Sequence, residues 1–267
     1  MGDAARPVGL APLSALDVAP DRLVRLAAAA GFDFVGLRVL AVTPEEPHHD
    51  LSPGSPLLAR TMEALDATGL YVLDAEFLRL DATTGPDDWL PALEAARALG
   101  ATRFTVAAGD EDRARLTDTL GRLTQDAASY GVVPALEPIS YRAVRSLTEA
   151  GRIARAAGAR VLPDMLHLAR VGTEPEELAQ VGDLVDMVQL CDCPAAAPTD
   201  TAGLTEEARA ARLAPGDGEQ DLARHLAVLP DDLPVSVEVP HLTELARRGA
   251  PGWIHHLHDT TRRMLDT

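Results

Sequence analysis

Eight short apolar runs punctuate the chain, separated by longer stretches in which leucine and alanine recur among charged residues. The runs predict strands over residues 8–10, 34–40, 70–77, 103–107, 132–137, 159–164, 185–190 and 234–239. Most lack a clean apolar/polar alternation, as expected of parallel strands buried on both faces. The intervening stretches predict helices over 21–30, 57–68, 87–99, 111–130, 148–157, 174–181, 205–212 and 220–229, with terminal helices over 241–248 and from 252 onward. Gly31, Gly69, Gly100 and Gly131 follow four of these helices as stop signals. Eight strand–helix units close as a single α/β domain over 1–267, a (β/α)8 TIM barrel, and about 250 residues is the usual size for one. An open doubly wound sheet would need a glycine-rich phosphate turn after its first strand. The only glycine cluster, Pro215-Gly-Asp-Gly218, follows no strand directly and has no phosphate-binding lysine.

Composition narrows the function. Hydrophobic residues make up 46% of the 267, enough for a large core, and the formal net charge is −17. That charge argues against nucleic acid as a partner and against anionic membrane surfaces. No apolar run is long enough to span a bilayer, and the start of the chain has no secretory pattern. The two cysteines, Cys191 and Cys193, are too close on one strand for an unstrained disulfide, so a reducing cytoplasmic location is expected.

Four of the apolar runs end in an oxygen-bearing side chain: Glu137, Asp164, Gln189 and Glu238. They fall on the fifth to eighth strands, and the active face of such a barrel lies at the C-terminal strand ends. Oxygen ligands converging from four strands suit one divalent cation, Mn²⁺, Mg²⁺ or Co²⁺ ahead of Zn²⁺. His167, three residues beyond Asp164, is a candidate base. Residues 194–217 are too long for an ordinary connection and are expected to cover the barrel mouth, carrying Arg212 inward. His49, in the proline-rich loop over 43–56, is a candidate substrate contact should that loop fold over the mouth.

The order Glu137, Asp164-Met-Leu-His167, Gln189-Leu-Cys-Asp192, Pro215-Gly-Asp-Gly218 and Glu238 resembles the xylose isomerase-like superfamily of sugar phosphate isomerases and epimerases. The motifs cover the second half of the chain; the first half matches in strand–helix rhythm alone. The resemblance implies a metal-dependent enzyme acting on a small molecule, often as a homo-oligomer, in which Glu137 and Glu238 serve as acid and base. Members usually place histidine where this chain has Gln189. Glutamine there is similar to bacterial 3-dehydroshikimate dehydratases, and so is the placing of Arg212 before the Pro-Gly turn and of Arg79 beyond the third strand. Glu76 stands where those enzymes carry a neutral amide. The segment after Glu137 also lacks their tryptophan-and-histidine pattern.

These residues imply proton abstraction next to a carbonyl. Reprotonation of the enolate gives an isomer or epimer, and loss of a β-hydroxyl gives a dehydrated product. The expectation from sequence is a lyase of the dehydratase kind on a polyhydroxylated, carboxylated substrate such as 3-dehydroshikimate, with Arg79, Arg212, Glu76 and His49 as substrate contacts. An isomerase or epimerase is the alternative enzyme, and a sugar-binding barrel is the non-enzyme alternative. The acidic charge speaks against an abasic-site endonuclease.

Overall fold

The computed structural model describes residues 6–44 and 46–266. Its strands are β1 (Val8–Leu10), β2 (Phe34–Arg38), β3 (Tyr71–Leu80), β4 (Arg103–Ala108), β5 (Val133–Glu137), β6 (Arg160–Val161), β7 (Val188–Leu190) and β8 (Val235–Val237). The helices are α1 (Pro20–Ala30), α2 (Pro56–Thr68), α3 (Pro86–Leu99), α4 (Arg113–Ala128), α5 (Leu147–Ala157), α6 (Met165–Val171), α7 (Pro175–Gln180), α8 (Thr201–Ala210), α9 (Leu222–Leu226) and α10 (Leu242–Leu265). All strand pairs are parallel, in the order β6-β5-β4-β3-β2-β1-β8-β7. The two ends of this curled sheet meet where Asp164 and Gln189 form an isolated parallel bridge. There the Gln189 N–H donates to the Pro163 carbonyl at 2.9 Å. None of the described helices is long and apolar enough to cross a membrane.

Strand alternation sorts side chains onto two faces. On β8, Val235 and Val237 belong to the large core beneath the helices. Ser236 and Glu238 take the other, inward-facing positions. Inside the barrel, Phe34, Ala135, Leu162 and Met187, with Leu73 against them, form a separate apolar cluster. Three of these lie two residues before a candidate site residue on the same inward face: Ala135 before Glu137, Leu162 before Asp164, Met187 before Gln189. This apolar floor supports a polar layer one step nearer the strand ends. Gly9 makes room for Phe34, since a Cβ there would lie 2.1 Å from the ring. Gly36 does the same for Asp74, whose Oδ1 would be 2.7 Å from such a Cβ.

The structure differs from the sequence reading at several element ends. β3 continues to Leu80, so Arg79 lies within the strand and not beyond it. β6 stops at Val161, because Pro163 has no N–H to donate and Asp164 turns back onto the following backbone. Asp164 caps α6 by accepting from the N–H groups of Leu166 and His167. α8 begins at Thr201, capped by Asp200, and ends at Ala210. The two terminal helices run together as α10, with a break at Gly249 (φ 67°, ψ 159°).

Candidate active site

At the C-terminal strand ends lies a cleft with about 470 Å³ of empty space, open to solvent. Its walls include Arg38 from β2, Glu76 from β3, Glu137 from β5, His167 from α6, Glu238 beyond β8, and Arg209 and Arg212 from the segment over 194–217. That long segment therefore does reach the mouth. The buried Arg170–Glu207 pair ties α8 to α6, and Arg209 on α8 pairs with Glu46 of the loop after β2.

Ligand-type atoms of Glu137, Asp164 and His167 all lie within 4.8 Å of one another, and all three residues are buried. His167 Nε2 is 3.7 Å from Glu137 Oε1. Its Nδ1 is in hydrogen-bond contact with Ser140 Oγ at 3.2 Å, and the Tyr141 ring meets the imidazole edge-on. Burial pushes the His167 pKa down to about 4, outweighing the pull of Asp164, so the imidazole is neutral at pH 7.

Of the four strand-end groups expected to converge on a metal, Glu137 and Asp164 join this cluster. Gln189 and Glu238 are joined instead to each other, Gln189 Nε2 donating to Glu238 Oε1 at 2.9 Å. Arg212 is expected from sequence to hold a substrate carboxylate, but it is committed within the protein. Its Nη1 donates to Asp164 Oδ2 at 2.6 Å, and its Nη2 lies 2.9 Å from Glu238 Oε2. Asp192 fixes the backbone that delivers it: Asp192 and Leu213 exchange backbone hydrogen bonds at 2.9 Å. The Asp192 carboxylate accepts from the N–H groups of Cys193, Gly216 and Gln220, so the Pro-Gly-Asp-Gly turn is wrapped around it.

Two other expected contacts lie outside the cleft. Arg79 pairs with Asp81 at 2.8 Å, both side chains being well exposed. His49 lies 3.3 Å from the Leu16 carbonyl and does not line the cleft. Glu76 does line it, 3.5 Å from Arg38. The sequence reading missed Asp74 beneath it. Asp74 and Glu76 stand two apart on one strand, which puts both carboxylates on the inward face, and that spacing was a usable signal. Tyr141 and Arg142, four and five residues after Glu137, were also missed. The two cysteines are free and buried, in keeping with the sequence reading.

Burial drives the electrostatics of the mouth. It raises Glu137 well above the carboxylate range, helped by Glu238 and Asp164, and raises Glu238 to about 8 despite the neighbouring Arg212. It raises Asp74 to about 6, and Glu76 further still beside Asp74. Burial acts on Asp164 in the same sense, but Arg212 and His167 overcome it and hold that carboxylate below its ordinary value. Five buried carboxylates, at 74, 76, 137, 164 and 238, thus face two buried guanidinium groups, Arg38 and Arg212. The Gln189 Oε1 is buried with no hydrogen-bond partner among the described residues. An excess of carboxyl over guanidinium groups, a neutral imidazole and an orphaned carbonyl oxygen fit a divalent cation held by Glu137, Asp164 and His167.

Comparison with known proteins agrees with this architecture. No curated protein matches the sequence. A solved fusion protein of a xylose isomerase-like TIM barrel with a 4-hydroxyphenylpyruvate dioxygenase is 22% identical with a TM-score of 0.72, over 89% of this chain but only 39% of its own. The IolI protein, crystallised with a zinc atom, is 19% identical with a TM-score of 0.74, over 97% of this chain and 98% of its own. The 3-keto-D-glucoside 4-epimerase of E. coli is 18% identical with a TM-score of 0.69, over 98% of this chain and all of its own. At these identities the likeness speaks for the fold. The family model of the xylose isomerase-like TIM barrel matches residues 24–257, and the chain belongs to that family.

Proposed function

We propose that the protein is a divalent-metal-dependent isomerase or epimerase that moves a proton next to the carbonyl of a small polyhydroxylated substrate. The observation that carries this reading is the convergence of Glu137, Asp164 and His167 at the C-terminal strand ends, with Glu238 bound to the same network. When bound, the cation supplies the Lewis acidity that stabilises an enolate. The protein's own groups divide the remaining work by their environments. Asp164 stays ionised beside Arg212 and is suited to holding positive charge. Burial raises Glu238 to about 8, where a carboxyl exchanges protons near neutral pH, and raises Glu137 well above its ordinary value. In the ionised form Glu238 accepts the α-proton, and Glu137 as the acid returns one to the other face. Arg212 keeps Glu238 in place while its charge changes, and neutral His167 holds a lone pair ready.

Elimination is the second reading, and Gln189 favours it as a glutamine at the end of β7. Its other two supports have lost their force, since Arg79 lies outside the cleft and Arg212 is occupied by Asp164 and Glu238. The solved relative named as a 4-epimerase adds weight to the isomerase reading.

Equilibrium dialysis against Mn²⁺, Mg²⁺, Co²⁺ and Zn²⁺, followed by proton exchange in D₂O over a panel of ketoses and keto acids, tests both. Deuterium incorporation without loss of water is expected; new ultraviolet absorbance from a dehydrated product would move the assignment to elimination. Glu238→Gln should lower turnover by about 10²–10⁴-fold with the fold intact. A protein that binds no divalent ion would overturn the metal reading altogether.

A further inference from the structure

Four arginines reach the cleft, and three have carboxylate partners. Arg212 holds Asp164 and Glu238, Arg209 holds Glu46, and Arg38 lies 3.5 Å from Glu76. The fourth, Arg142, also lines the cleft, yet its guanidinium pairs with no acidic group among the described residues. In a chain of net charge −17, an unclaimed arginine facing an acidic cleft stands out from its neighbours. Its Cζ lies 5.6 Å from the centroid of the Tyr141 ring, and that ring is 5.5 Å from His167. One tyrosine therefore separates the guanidinium from the candidate metal ligands.

The turn that presents Arg142 is braced before any ligand arrives. The Arg142 N–H donates to the Ile139 carbonyl at 2.9 Å, and the Ile139 N–H to the Val144 carbonyl at 3.0 Å. Arg145 Nε donates to the Arg142 carbonyl at 3.0 Å. From α4, Arg113 donates through Nη2 to the Ala143 carbonyl at 2.6 Å and through Nε to Glu149 at 2.7 Å. Holding a charged group in position beforehand lowers the ordering cost of binding.

We infer that Arg142, stacked on Tyr141, is the seat for a carboxylate at the far end of the substrate, so that the enzyme proposed above acts on a sugar acid rather than a neutral sugar. This rests on the proposed function and names its substrate class. A single planar guanidinium matches a carboxylate through two parallel hydrogen bonds. A phosphate dianion carries more charge than one arginine offsets, next to a cleft that is already acidic. Tyr141 orients the guanidinium by its ring face.

The test uses the full-length protein loaded with Mn²⁺, with metal occupancy measured first, and three probes: D-gluconate, neutral D-glucitol and D-glucitol 6-phosphate. Calorimetric titration should show gluconate binding at least tenfold more tightly than glucitol. Arg142→Ala should erase that preference and leave glucitol affinity unchanged. Arg142→Lys should restore part of it, and Arg79→Ala should leave it intact. Equal affinity for gluconate and glucitol, a preference that survives Arg142→Ala, tighter binding of the phosphate than of gluconate, or no binding of any probe to Mn²⁺-loaded protein would each overturn the inference. Failure to take up Mn²⁺ at all would be a failure of the metal reading instead, and the occupancy measurement separates the two.

Discussion

The barrel interior has two levels of opposite chemistry. The lower level is the apolar floor of Phe34, Leu73, Ala135, Leu162 and Met187. One step towards the strand ends, Asp74, Glu76, Glu137, Asp164, Gln189 and Glu238 are all buried and polar or charged. The floor is close-packed, with Gly9 giving up its side chain so that Phe34 can fill the space. The mouth is the reverse. Asp74 Oδ1 and Oδ2, Glu76 Oε1, Arg38 Nε, Thr105 Oγ1 and Ser236 Oγ are buried without a hydrogen-bond partner among the described residues. Leaving such groups unpaired costs stability. The contrast separates a layer selected for packing from one kept for chemistry, and each substitution below acts on one of them.

The largest effect on stability is expected at the floor. Phe34→Ala removes a fully buried ring from a site that is tightly filled on the Gly9 side. It should lower the unfolding free energy by about 3–5 kcal/mol, read from urea denaturation. Metal uptake by the remaining folded protein should be unchanged, because the floor supplies no ligand. A folded Phe34→Ala variant that no longer binds metal would dissolve the distinction between the two levels.

Asp74→Asn acts on the other level and in the opposite direction. Burial raises the Asp74 pKa to about 6 in the fold, above the ordinary 3.8. Between those values the folded chain binds more protons than the unfolded one, so stability falls as pH rises through that window and stays lower above it. An uncharged amide of the same shape removes this slope. The variant should therefore match the parent near pH 3.5 and exceed it at pH 7, by roughly 2–3 kcal/mol if the whole shift is recovered. Thermal melts at the two pH values check this. Equal stabilisation at both would mean that packing, not ionisation, is the cause.

The sequence carried most of the fold because buried parallel strands write themselves as apolar runs, and all eight are present. What it carried poorly is long-range pairing. Nothing local to Arg212 says that its partners are Asp164 and Glu238, 48 and 26 residues away. A lone arginine near a predicted mouth therefore reads as a substrate contact, and its pairing with two buried carboxylates cannot be read locally. The four strand-end groups were legible because each interrupts an apolar run. His167 was legible from its spacing, but its place among the candidate ligands depends on α6 being capped by Asp164, and a two-residue β6 gave little warning of that. Arg142 was hidden in a turn whose bracing comes from α4.

Arg79 gives the smallest expected effect and the sharpest check on where the site ends. The sequence places it beyond β3, at the active face. The alternation Leu78-Arg79-Leu80 carries the strand past it, with both leucines buried in the core beneath the helices and Arg79 exposed. There it pairs with Asp81 at 2.8 Å, the two side chains being 45% and 39% exposed. An exposed pair of this kind contributes roughly 0–1 kcal/mol, because solvent screens the attraction and two long side chains lose freedom. Arg79→Ala should therefore shift the urea midpoint marginally and leave KM and kcat for any substrate at parent values. The comparison with Arg142→Ala is direct, since both remove one guanidinium from the same acidic protein and only one of them lines the cleft. A raised KM in Arg79→Ala would extend the binding surface to the far end of β3. It would also restore the arginine-based case for elimination that the geometry has weakened.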